Sequence, residues 1–185
     1  YCLGTEVVAV ILRIILAIGL LAGSAQLVAG EPITFTDLRY DQVVRQGQEP
    51  SCATASIVTI LNSSFGENLN EGLVWLRYLE ALPPDEQSKA IADGLSLADI
   101  DSLVRNLGYR AHVVKISLMN LAKTNQPAIV YLERGEPRPF RHFLVFDRLD
   151  GNRAVLRDPI FGNRRLHIET FVKEWRGQLA VFITN

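Results

Sequence analysis

The chain reads as an α+β fold in which a helical first half packs on an antiparallel sheet built from the second half. Three observations predict it. Apolar residues keep helical spacing only in the stretch that runs from Cys52 to Leu107, most clearly at Leu97, Ile100, Leu103, Val104 and Leu107. Beyond Gly108 the pattern changes to short runs rich in Val, Ile and Phe, separated by turn residues. Asp150-Gly151 between two of those runs is a hairpin signal, which makes neighbouring strands antiparallel.

The first segment stands apart. Val7–Leu21 is apolar except for Arg13 and glycine, and small residues continue through Gly30. Arg13 followed by Ile14–Leu21 has the order of a charged region and a short apolar core. Gly23-Ser24-Ala25 and Val28-Ala29-Gly30 then offer small residues where a signal peptidase cuts. Residues 1–30 are expected to be a secretory signal peptide, cleaved near 25 or 30, and residues 31–185 the mature domain. A single membrane anchor is the competing reading, but Val7–Leu21 is shorter than the ~20 residues that span a bilayer and Arg13 interrupts it.

A polar lead-in, Glu31–Tyr40, comes next. A helix is expected from Cys52, carried through Thr54–Asn62 by Ile57, Val58, Ile60 and Leu61. Leu69–Leu82 supplies a second, with Leu73, Leu76, Tyr78 and Leu79 apolar, and Pro83-Pro84-Asp85 ends it. Asp85–Asp93 has the composition of a short polar helix. Ser96 can cap the next one, Asp99 completes a capping box with Asp in place of Glu, and Gly108 stops it. Strands are expected at Tyr109–Ile116, Ala128–Leu132, His142–Arg148, Arg153–Arg157 and Leu179–Ile183. Glu133–Arg141, with Gly135, Pro137 and Pro139, is expected to be a mobile loop that gates access to the chemistry beside His142.

With 48% hydrophobic and 21% charged residues, the 185-residue chain has the composition of a globular protein with room for one core. A formal net charge of -1 gives no bulk attraction to nucleic acid or anionic lipid, so no nucleic-acid partner is expected, and membrane contact only through an uncleaved N-terminal segment. There are 2 cysteines, and removal of the signal peptide would take Cys2 with it. Cys52 would then be an unpaired thiol in an exported chain, which marks it as a candidate reactive group. It stands where the polar turn Gln46–Ser51 becomes a helix. A thiol in the first turn of a helix meets the positive end of the macrodipole, which favours the nucleophilic thiolate.

A cysteine nucleophile needs a base, a group that orients the base, and donors for the oxyanion formed when a carbonyl is attacked. His142 opens the strand-like run His142-Phe143-Leu144-Val145-Phe146, where a ring at a strand mouth can meet a helix packed on the sheet. His112 alternates with Val113 and Lys115 inside a strand, and His167 lies beside the helix-like Glu169–Trp175, so His142 is the best-placed base. Asp158 ends the next strand, and the hairpin between them brings it toward His142, where a carboxylate could fix the imidazole tautomer; the plainer alternative is a turn started by Asp158-Pro159. Gln46, in the loop before the thiol, has an amide that can donate to an oxyanion together with the Cys52 backbone N–H. No metal or cofactor is expected: one mature cysteine and three scattered histidines lack ligand spacing, and no glycine-rich phosphate loop is present.

These residues together resemble the double-glycine leader peptidases, the papain-like cysteine peptidases that process bacteriocin precursors. The resemblance runs from about Tyr40 to Ile183 and rests on four segments. They are Gln46–Ser56, Gly94–Ile100 continuing to Arg110, Pro127–Val130 with His142–Val145, and Asp158-Pro159 with Phe161-Gly162. It implies the papain-like fold, with Cys52 as nucleophile, His142 as base, Asp158 as orienting carboxylate and Gln46 as oxyanion donor. Family members commonly carry Gly after the nucleophile, where this chain has Ala53. A signal peptide in front and no ATP-binding cassette behind set it apart from transporter-fused members, so the expectation is a stand-alone periplasmic or secreted peptidase. Its partner would be a peptide or protein substrate, such as a secretion-system component, cut after Gly-Gly or other small residues. The peptidase of functional-amyloid secretion in some Gram-negative bacteria is one such context. Two rivals are a binding module that grips a leader or secretion substrate without cutting it and a transamidase using the same triad.

Overall fold

A computed structural model of the chain describes residues 33–135 and 140–185. The segment read as a signal peptide lies outside them. From Thr34 to Asn185 the chain forms one compact body. Helices come first: α1 (Phe35–Arg39), a 3₁₀ turn (Glu49–Ser51), α2 (Cys52–Phe65), α3 (Glu71–Glu80), α4 (Pro84–Asp93) and α5 (Leu97–Asn106). Then follow β1 (Arg110–Lys115), α6 (Leu118–Lys123), β2 (Ala128–Arg134), β3 (Phe140–Asp150), β4 (Arg153–Asp158), β5 (Gly162–His167), α7 (Ile168–Glu174) and β6 (Trp175–Thr184).

Helix α2 is the axis of the body. Every residue from Ala53 to Leu61 is buried, a pattern expected of a helix that is apolar or small on all sides. Its hydroxyls are largely satisfied inside: Ser56 Oγ donates to the Cys52 carbonyl at 2.8 Å, and Thr59 Oγ1 accepts from Val44 N at 2.9 Å. Gly66, at φ 74, ends the helix in the left-handed region that a side chain would resist. The predicted capping box of α5 is present, with Asp99 N donating to Ser96 Oγ at 3.2 Å and Ser96 N to Asp99 Oδ2 at 2.8 Å. Tyr78 OH donates to Asp99 Oδ1 at 3.0 Å and so ties α3 to α5.

The six strands form one sheet in the order β1-β6-β2-β3-β4-β5, with all neighbours antiparallel. Side chains alternate across it. Ile129, Phe143, Val145 and Val181 pack with Ile57, Leu61 and Val104 of the helices. Val130, Leu144, Phe146 and Leu156 pack with Leu121 of α6 and Phe171 of α7. Each of these large side chains, removed from water, contributes about 1.5–3 kcal/mol before entropy is counted. The central strands are therefore apolar on both faces, which is why β2 and β3 read as continuous hydrophobic runs.

The architecture is the predicted one, with three added elements. α1 lies within the polar lead-in, α6 follows β1, and β5 follows the Asp158 turn. The expected gating loop is also shorter, because β2 runs to Arg134 and β3 begins at Phe140; residues 136–139 lie outside the described residues.

Candidate active site

Cys52 is the first residue of α2, a free and partly exposed thiol. Its helix is entered through the 3₁₀ turn, where Ser51 Oγ donates to the Gln48 carbonyl at 2.9 Å and accepts from Gln48 N at 3.3 Å. Gly94, at φ +76, approaches the same turn so closely that an added Cβ would stand 3.1 Å from the Pro50 carbonyl oxygen. A side chain there would push on the backbone that leads into the thiol.

The hairpin of β3 and β4 explains how His142 and Asp158 meet. Val145 pairs with Arg157, so the next pair places Asp158 opposite Leu144, one same-face step from His142. His142 Nε2 and Asp158 Oδ1 are 2.8 Å apart, with the two side chains only 3% and 0% exposed. The same carboxylate oxygen accepts from Ile160 N at 2.9 Å and Phe161 N at 3.1 Å, while Oδ2 accepts from Arg164 Nη1 at 2.9 Å. A buried carboxylate with four donors is fully satisfied.

Burial disfavours charge on both partners, but their interactions outweigh it. Burial pushes the His142 imidazole down; hydrogen bonds with Asp158 and Cys52, and the charges of both, raise it to about 9. Burial likewise pushes Asp158 up, and the His142 contact with the Ile160 and Phe161 N–H groups holds it below the ordinary carboxylate range. His142 is thus an imidazolium at neutral pH. Nε2–H donates to Asp158, which leaves Nδ1–H for the Cys52 sulfur.

Gln46 is in the loop before Cys52, and its amide is engaged within that loop. Nε2 donates to the carbonyls of Gln48 at 2.9 Å and Glu49 at 3.1 Å, which engages both protons, and its buried Oε1 has no partner among the described residues. The structure therefore brings Cys52, His142 and Asp158 together and holds Gln46 beside them in a self-bonded conformation. His112 and His167 lie elsewhere, bonded to Thr184 and Asn152. A cavity of about 480 Å³ opens beside Cys52, floored by Ile129, Tyr131 and Phe143 and walled by Leu95 and Leu97. Arg141 and Arg176 share Glu133 on its rim, at 3.4 and 3.1 Å.

Two residues of the site carry no mark in the sequence: Arg164, which stands on the unpredicted strand β5, and Glu71, whose buried carboxylate accepts from Gly47 N at 3.3 Å and holds the Gln46 loop. A hairpin reading of Asp158–Gly162 would have found Arg164, since Leu156 pairs with it and places it diagonal to Asp158.

The peptidase C39 family pattern matches residues 41–185. The chain belongs to that family of cysteine-type peptidases. It is 31% identical over 139 residues to a protein of Pseudomonas aeruginosa named "Probable functional amyloid protease FapD", a match covering 75% of this chain and 59% of that one. A second similarity, 27% over 148 residues, is to the colicin V secretion/processing ATP-binding protein CvaB of Escherichia coli, covering 78% of this chain and 19% of the transporter. Among solved structures, the C39 member resembles the peptidase domain of Streptococcus ComA, a bi-functional ABC transporter involved in quorum sensing. There the TM-score is 0.60 and the identity 23%, over 77% of this chain and 96% of that domain. A double glycine motif protease from an AMS/PCAT transporter, solved with its leader peptide, gives a TM-score of 0.58 at 20% identity, over 76% and 89% of the two chains. These likenesses establish the α+β fold of N-terminal helices on a six-stranded antiparallel sheet.

Proposed function

We propose that this chain is an exported cysteine peptidase that cuts a leader or secretion substrate, with Cys52 as nucleophile, His142 as general acid and base, Asp158 as its orienting partner and Gln46 as an oxyanion donor. The observation that carries the reading is the buried His142–Asp158 pair aligned on the free Cys52 at the mouth of an apolar cavity. The Cys52 thiolate attacks the scissile carbonyl carbon. The resulting oxyanion is met by the Cys52 N–H at the start of α2 and by the Gln46 amide once substrate frees a proton from the Gln48 or Glu49 carbonyl. His142 Nδ1–H passes its proton to the leaving amine, and a thioester remains. Water then gives a proton back to the imidazole and attacks the thioester, releasing the acid and restoring the thiolate and imidazolium.

Cleavage after Gly-Gly is supported by family membership, and a secretion context by the similarity to the colicin V secretion/processing protein. Export to the periplasm or medium is supported by the signal-peptide character of residues 1–30. Digestion of peptides carrying Gly-Gly, Gly-Ala and Ala-Ala sites, followed by mass spectrometry, tests the chemistry. Cuts after Gly-Gly that vanish in Cys52→Ala are expected; turnover by Cys52→Ala refutes the nucleophile, cuts confined to other sites refute the specificity, and products extended by an added amine show acyl transfer. Cell fractionation with N-terminal sequencing tests export, which is refuted by a cytoplasmic chain that keeps residues 1–30.

A further inference from the structure

The carboxylate of Asp158 is held by backbone N–H groups of its own turn, and that turn is gripped in turn from outside. Three successive carbonyls, of Pro159, Ile160 and Phe161, each accept from the segment that leads into the catalytic loop. Gln46 N donates to Pro159 O at 3.1 Å, Tyr40 OH donates to Ile160 O, and Arg39 Nε donates to Phe161 O at 2.7 Å. Asn163 Nδ2 closes the seam on the Asp41 carbonyl at 2.8 Å. At Gly162, φ +72, an added Cβ would fall 2.3 Å from Arg39 O, so the two segments touch backbone to backbone.

The first two of these peptide units are the ones that serve the carboxylate, and the third, whose oxygen Arg39 holds, follows directly after them. The Pro159 carbonyl and the Ile160 N–H belong to one peptide plane, the Ile160 carbonyl and the Phe161 N–H to the next. Each plane is therefore fixed at both ends: its oxygen by Gln46 N or Tyr40 OH, its N–H by Asp158 Oδ1. A donor on the carbonyl also polarises the peptide and strengthens its N–H as a donor. Rotation of either plane would cost two hydrogen bonds and release the oxygen that holds His142.

We propose that Arg39 and Tyr40, which precede the residues matched by the family, are positioning residues: they fasten the Asp158 turn and through it set the orientation of the His142 ring toward Cys52. The proposal rests on the peptidase reading, and its test is chosen to separate the two. The rate of Cys52 alkylation by iodoacetamide, measured from acid to strongly alkaline pH on the full chain, is expected to have an upper inflection where the His142 imidazolium beside the Cys52 sulfur loses its proton. Tyr40→Phe removes one oxygen, and Arg39→Met removes the donor while keeping the aliphatic stem. Tyr40→Phe is expected to move that inflection down by about 0.5–1 pH unit, a threefold to tenfold change in the proton equilibrium and the span of one ordinary hydrogen bond, and Arg39→Met, one peptide further from the carboxylate, to move it in the same direction by less. A role confined to folding would lower Tm and the fraction of protein that reacts, and would leave the inflection of the reacting fraction in place. An unmoved inflection in both variants overturns the positioning role. If the wild type shows no upper inflection, or His142→Ala leaves one unchanged, the failure is that of the peptidase chemistry itself and the positioning role falls with it.

Discussion

Replacing Asp158 by Asn separates the charge of the orienting group from its shape. The Asn Oδ1 can still accept from Ile160 N, Phe161 N and His142 Nε2, so the turn keeps its anchor. The amide Nδ2, however, would face Arg164 Nη1 across a gap now bridged at 2.9 Å, donor against donor, and the guanidinium must swing toward solvent. What His142 loses is a full negative charge. Two unit charges about 4 Å apart interact by ~4 kcal/mol at an effective dielectric constant near 20, equivalent to ~3 pH units as an upper bound. The imidazole, now held at about 9, is expected to titrate near its ordinary 6.5 in the variant. At about pH 8 the imidazolium fraction then falls roughly thirtyfold, whereas near pH 5.5 it barely changes. Stability follows the same signs. The raised imidazole contributes fully below 6.5 and loses its contribution as pH climbs through about 9; the lowered carboxylate contributes above 3.8 and loses its share on acidification. These are one interaction viewed from two partners, worth about 3 kcal/mol at most and full between those two values. The assay is kcat/KM against pH for a cleaved peptide, with thermal unfolding across the same range. A variant profile that is uniformly lower but keeps its alkaline limb would refute the charge argument and reduce Asp158 to a turn-forming residue.

Three further outcomes follow from single contacts. Gln46→Ala is expected to lower kcat by about 10²–10³ with little change in Cys52 alkylation by iodoacetamide, since the amide serves the oxyanion and not the thiol; equal loss in both measurements would contradict this. Phe171→Ala empties a fully buried site between α7 and the sheet, against Phe146 and Trp175, and should cost about 3–5 kcal/mol in urea unfolding while leaving the pH profile in place. Ser96→Ala removes the acceptor for Asp99 N and should cost about 1 kcal/mol by the same measurement.

Which parts of this protein the sequence discloses depends on where the physical signal resides. Helix α5 announces itself because both halves of its capping box are side chains, Ser96 and Asp99. The core strands β2 and β3 are legible because both faces are buried. Strand β5, by contrast, is Gly162-Asn163-Arg164-Arg165-Leu166-His167 at the sheet edge, paired on one side, and its composition is that of a loop. Helices α1 and α6 have 5 and 6 residues, too few for a helical period to repeat. The ends of β2 and β3 are hidden for a similar reason: Glu133, Arg134, Phe140 and Arg141 continue the ladder through mostly charged residues at the rim, where Arg141 and Arg176 share Glu133.

The same division runs through the active site. Cys52, His142 and Asp158 are readable because a reactive side chain, a strand mouth and a hairpin each leave a mark in the residues. The groups that make Asp158 a buried anion do not. Two of its four donors are peptide N–H groups, identical in every residue but proline, and a third, Arg164, comes from the strand that composition hides. Pro159 is the one local clue: it fixes the backbone just after the carboxylate and has no N–H of its own to compete for Asp158 Oδ1. From there the chain needs only N–H donors turned inward to the carboxylate and carbonyls turned outward, and it is the outward carbonyls that Gln46, Tyr40 and Arg39 engage. The carboxylate that raises the His142 imidazole is thus held in part by peptide groups at residues 159–161, one covalent step removed from any side chain whose identity the sequence reports.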